Sequence, residues 1–89
     1  DPSDHDGVLR VSPNPFSGTV TIYFTSENEA NASMEIIDIN GRLVYMSQIM
    51  VLPGENHFII DPVNISPGAY TLRINENGRI ATTKIVKIN

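Results

Sequence analysis

Strong turn signals divide this chain into pieces too short for long helices. Asn40-Gly41 and Asn77-Gly78 sit between β-patterned runs, Pro53-Gly54 and Pro67-Gly68 mark two further reversals, and Ser12-Pro13-Asn14-Pro15 forms a rigid corner. Asn-Gly favours a two-residue type I′ hairpin because both central residues need positive φ. In Pro-Gly the proline presets its own φ and the glycine accepts the positive φ that follows. The paired prolines of the corner remove two ladder donors, so it cannot be the interior of a regular strand. Between these marks no window repeats apolar residues at i, i+3 and i+4 for three turns.

Strands are what this punctuation leaves room for: 8–11, 19–25, 33–39, 43–51, 56–61, 69–75 and 79–88. In the second, Val20, Ile22 and Phe24 alternate with Thr19, Thr21 and Thr25, giving one face to a core and the other to water. Tyr70, Leu72 and Ile74 alternate with Thr71 and Arg73 in the same way. Met34 to Ile39 begins in alternation and then changes phase, which implies a bulge or a strand covered on both faces. Seven short strands at roughly ten-residue spacing predict an all-β domain, a seven-stranded antiparallel immunoglobulin-like β-sandwich without the Cys and Trp signature. Residues 8–89 carry it. Residues 1–7, Asp-Pro-Ser-Asp-His-Asp-Gly, read as a flexible linker, and a chain opening without Met reads as a piece of a longer protein.

Composition narrows the function. With 89 residues the chain has room for one domain, and 40% hydrophobic against 18% charged residues places it outside the disordered range. Its apolar runs fall far short of the roughly 20 residues that span a bilayer as a helix. It has no cysteine, so disulfides, thiolate metal sites and thiol nucleophiles are excluded. The net charge of −4 argues against nucleic acid as a partner. That charge is uneven: residues 1–72 hold Arg10 and Arg42 against nine acids, whereas residues 73–89 hold Arg73, Arg79, Lys84 and Lys87 against Glu76 alone.

Signatures of catalysis are missing. His5 falls in the linker and His57 beside Phe58 in a strand, neither with a partner nearby in sequence to poise it as a base. Three stretches ending in Gly7, Gly41 and Gly78 resemble half a calcium loop, but none has both the upstream ligand and the downstream Glu that an EF-hand requires. They are turn formers at turns. Neither metal, cofactor nor small-molecule substrate is expected.

The order of the punctuation carries more than its parts. Ser12-Pro13-Asn14-Pro15-Phe16 leads into an alternating strand. After it come Asp38-Ile39-Asn40-Gly41-Arg42, Leu52-Pro53-Gly54, and Ile65-Ser66-Pro67-Gly68-Ala69-Tyr70, and then a last strand with Lys84 and Lys87. Over residues 8–89 this resembles the type A C-terminal sorting domain of the type IX secretion system of Bacteroidetes-type bacteria. The resemblance implies a non-catalytic secretion signal at the end of a large cargo protein, read in the periplasm by the outer-membrane translocon. It further implies removal by a sortase-like peptidase and a cargo that reaches the cell surface or the medium. Residues 1–7 would be the tether to the upstream cargo domain. An immunoglobulin-like accessory or adhesion module, binding a glycan or protein for a secreted parent enzyme, is the alternative.

Recognition in such domains lies largely in the last strand and terminus, which makes Arg79, Lys84, Ile85, Val86, Lys87, Ile88 and Asn89 the candidates, with Arg42 beside its turn. By period two Lys84 and Lys87 fall on opposite faces, so without a bend they cannot both point outward. Pro13, Asn14, Pro15, Asn40, Gly41, Pro67, Gly68, Tyr70, Asn77 and Gly78 read as structural, with Tyr70 burying its ring and sending its hydroxyl to a backbone partner. A long last strand also makes an edge-to-edge dimer a candidate assembly.

Overall fold

Alternating strands need a dry face, and two sheets packed together provide it. The computed structural model describes residues 8–89, so the expected linker at 1–7 lies outside the described residues. The described residues form seven strands: β1 Val8–Ser12, β2 Val20–Ser26, β3 Ala30–Asp38, β4 Leu43–Val51, β5 Gly54–Ile60, β6 Gly68–Glu76 and β7 Arg79–Lys87. One sheet has the order β1-β2-β5 and the other β4-β3-β6-β7, with every neighbouring pair antiparallel. The described residues contain no helix. This is an immunoglobulin-like sandwich, in which β4 lies beside β3 in the larger sheet.

Inward residues follow from period two. Val20, Ile22 and Phe24 of β2 meet Ala32, Met34 and Ile36 of β3, Leu72 and Ile74 of β6, and Ile85 of β7 in one core. Phe16, just after the Pro corner, is 1% exposed and closes that core at one end. Each of these side chains apart from Ala32 contributes roughly 1.5–3 kcal/mol by leaving water. The phase change after Met34 is no bulge in β3, whose ladder to β6 runs unbroken from Ser33 opposite Asn75 to Asp38 opposite Tyr70, with Ile37 half-buried on the outer face. The bulge lies in the neighbouring strand, where Ile36 pairs with Tyr45 and Ile37 with Leu43, so Val44 is an extra residue in β4.

The two Asn-Gly pairs part company. Asn77 (φ 55°) and Gly78 (φ 89°) both take positive φ and join Glu76 directly to Arg79, as a two-residue type I′ hairpin requires. At Asn40-Gly41 only the glycine does, with φ 84°. The two-residue turn expected there is replaced by a longer one, in which Gly41 N–H donates to the Asp38 carbonyl at 3.0 Å and Asp38 N–H to the Arg42 carbonyl at 2.9 Å. The reason is Asp38: its Oδ1 accepts the backbone N–H groups of both Asn40 and Arg42 at 2.9 Å, which favours the wider turn.

Pro53-Gly54 is a crossing between sheets, because β4 and β5 belong to different ones. Asn56, 8% exposed, staples it. Its Oδ1 accepts from Leu52 N–H at 2.9 Å, and its Nδ2 lies 3.0–3.2 Å from the carbonyls of Phe24, Leu52 and Gly54.

Candidate docking site

The C-terminal strand is held on both sides. Across one edge it pairs with β6 along its whole length, from Glu76 opposite Arg79 to Gly68 opposite Lys87. Against its other edge lies the Pro corner, whose Ser12–Pro13 and Asn14–Pro15 bonds are both cis. Asn14 works as a two-pronged clasp: Nδ2 donates to the Lys84 carbonyl and Oδ1 accepts from Val86 N–H, each at 3.0 Å. One step on, Phe16 N–H donates to the Val86 carbonyl at 2.9 Å and the Phe16 carbonyl accepts from Ile88 N–H at 2.8 Å. The outer edge from residue 84 to 88 is therefore occupied.

Period two then separates the two lysines. Lys84 stands exposed on the outer face of the larger sheet, in phase with Val86 and Ile88. Lys87 points inward, is 8% exposed, and donates from Nζ to the carbonyls of Ile65 at 2.9 Å and Pro62 at 3.1 Å. A charge this deep is tolerated because two carbonyl dipoles replace its water. Its job is to hold the loop between β5 and β6 against the last strand. Ile85, at 1% exposure, is core. Among the expected contact residues, then, Ile85 and Lys87 have no side-chain surface to offer in the folded domain.

Tyr70 completes this end. Its ring is 9% exposed and its hydroxyl donates to the Ser66 carbonyl, tying β6 back to the segment that carries Pro67. The positive φ of Gly68, 155°, lies between them. Asp38, Ile39, Ala69, Tyr70, Thr71 and Lys84 line one hollow, so the fold brings Lys84 beside the turn that carries Arg42. Ile39 at the rim is 82% exposed and Ile88 58%. Arg42 Nε lies 3.3 Å from Asp38 Oδ2. The two backbone donors and this guanidinium hold the Asp38 carboxyl below the ordinary carboxylate range, with the Arg42 N–H bond the largest cause and burial opposing it.

Arg79, Asn77 and Gly78 stand at the far end of β7, roughly 17 Å of strand from Lys84. Glu76, at 2% exposure, is buried there against Ser26 Oγ at 2.7 Å. Arg73 is spent on Glu35, with Nε 2.6 Å from Oε1. The apparent basic tip of residues 73–89 thus resolves into one cation in a salt bridge, one buried, and Lys84 and Arg79 at opposite ends. Alternation could separate Lys84 from Lys87, but nothing in the sequence announced the carbonyls waiting for Lys87 or the exposure of Ile39.

The described residues hold no cluster of His, Asp or Glu able to bind a metal ion. The sequence from residue 10 to residue 89 matches the family described as the secretion system C-terminal sorting domain. The chain belongs to that family. No curated protein matches it. Sorting domains of this kind are the C-terminal signals of type IX secretion, so this one acts with the type IX machinery on an upstream cargo. It serves export across the outer membrane to the cell surface or extracellular space. The family is a signal domain and generally non-catalytic. It supports the sorting reading and gives none to the accessory-module alternative.

Proposed function

We propose that residues 8–89 are a non-catalytic address label read in the periplasm by the outer-membrane translocon. Residues 1–7 are the tether at which a sortase-like peptidase then separates label from cargo. Family membership across residues 10–89 is the observation that carries this reading. The docking surface is the outer face of the larger sheet at the end of β7: Lys84, Ile88 and Asn89, with Ile39 and Arg42 from the neighbouring turn. Two exposed cations beside exposed apolar side chains suit a partner patch that is acidic around an apolar centre. Val86 contributes backbone to the clasp, and Arg79 lies too far away to share one small contact.

The test is fusion of the 89-residue chain to a periplasmic reporter, expressed in one host with the secretion system and one without it. Surface export confined to the first host is expected, and equal export in both would sink the assignment. Within the first host, the pair Lys84→Glu and Arg42→Glu should cut export roughly tenfold, the equivalent of about 1.4 kcal/mol of docking energy, while circular dichroism stays unchanged. Full export by that variant would move the docking surface elsewhere and leave the sorting assignment standing.

A further inference from the structure

Four strands form sheet edges: β1 and β5 in one sheet, β4 and β7 in the other. Long open edges invite pairing with another chain, and proteins usually guard them with charge, proline or cover. Here β1 carries Arg10, β5 carries Glu55 and His57, and β7 is clasped by Asn14 and Phe16. Nothing guards β4. Its nine residues, Leu-Val-Tyr-Met-Ser-Gln-Ile-Met-Val, include no charge, proline or glycine. Its outward face shows Val44 at 36% exposure and Met46 and Met50 each at 51%, while inward Tyr45 and Ile49 are only partly covered at the margin of the core.

We infer that β4 pairs antiparallel with β4 of a second copy, about a two-fold axis through Ser47, joining two four-stranded sheets into one of eight. The order of residues favours a second copy over a foreign strand. Centred on Ser47, the regular segment 45–49 pairs with itself residue for residue, and beyond it the bulged end at Leu43 and Val44 lies toward the partner's Val51 and Met50. Val44 then faces the partner's Met50, Met46 the partner's Gln48, and Tyr45 the partner's Ile49. The first pair is apolar on both strands, and in the second the polar Gln48 lies beside Met46 at the outer surface. The third is a cross-strand aromatic and β-branched pair, a favourable type, and it covers the half-open core margin on both sides. No like charges meet, and the bulge at Val44 leaves residues 45–49 regular at the centre. An even register sum places outward-directed backbone groups opposite one another, so the ladder closes. A single strand pair makes a small interface, which sets the expected affinity at micromolar or weaker.

The pairing is independent of the export reading and is tested on the 89-residue chain. Sedimentation velocity up to about 1 mM should show a monomer passing into a closed dimer, the weak range expected of so small a contact. Met46→Lys with Gln48→Lys should weaken it at least tenfold with unchanged circular dichroism, whereas Ile59→Lys, on the other sheet, should not. Because the chain has no cysteine, Ser47→Cys reads the register directly. Residues facing each other across the axis lie within disulfide range, so this variant should oxidise to a covalent dimer, and Ile59→Cys should not. A monomer at every concentration, a dimer indifferent to the two lysines, open-ended aggregation, or equal cross-linking of both cysteine variants would overturn the inference.

Discussion

Two lysines three positions apart have opposite roles. Lys87→Met leaves the carbonyls of Pro62 and Ile65 without their charged donor and should cost about 2–4 kcal/mol in urea unfolding. Lys84→Met should stay within about 0.5 kcal/mol, as exposed substitutions do. The reverse ranking would mean that Lys87 is not the structural one. Period two made it legible that the two could not share a face. Which one turned inward depended on where the loop at 62–65 settled, and that is tertiary information. Asn56 was hidden for the same reason: it reads as an unremarkable strand residue, and its staple exists only because two sheets cross at Pro53-Gly54.

At the scale of elements, identical dipeptides gave different turns. Strand existence and phase were legible because alternation and turn residues are local. The shape of the Asn40-Gly41 turn was not, because the Asp38 carboxylate captures two N–H groups and the sequence rule weighs only the central pair. This gives the turn a pH dependence of known sign. Asp38 has a folded-state pKa below its unfolded value, so its stabilising contribution is present at neutral pH and is lost as pH falls through the ordinary carboxylate range and then through the folded value. Asp38→Asn keeps an oxygen at Oδ1 but has no charge. Its stability deficit at pH 7 should shrink steadily as the solution is acidified, measured by thermal unfolding across pH. A gap that widens on acidification would contradict the assignment. The Asn14 clasp makes a second prediction for an element. Asn14→Ala frees Val86 N–H, whose amide should exchange with deuterium faster than in the parent chain, while the Leu72 amide inside β6 should keep its protection. Equal protection of Val86 in both proteins would show the clasp to be idle.

For the whole molecule, the same strand that carries the candidate docking surface also completes the core. Removing residues 84–89 takes away Ile85, the Lys87 bonds and the ladder to Tyr70, so the truncated chain should lose its β circular dichroism and its cooperative unfolding. A truncated chain that stays folded would show that the last strand is dispensable for stability. Loss of export on truncation would report unfolding as readily as lost recognition, which makes Lys84→Glu with Arg42→Glu the cleaner probe. The clasp also has a mechanical side. Phe16 pairs with the last strand in parallel sense, so the upstream end of one segment and the downstream end of the other lie at opposite ends of the contact. Tension between the cargo side and the terminal residues loads the Asn14 and Phe16 bonds together, in shear, instead of peeling them singly. Single-molecule stretching of the Asn14→Ala chain should therefore give a lower rupture force than the parent, since forced unfolding follows the unfolding barrier. A domain hauled by its passenger would hold or fail at the joint between its first corner and its final strand.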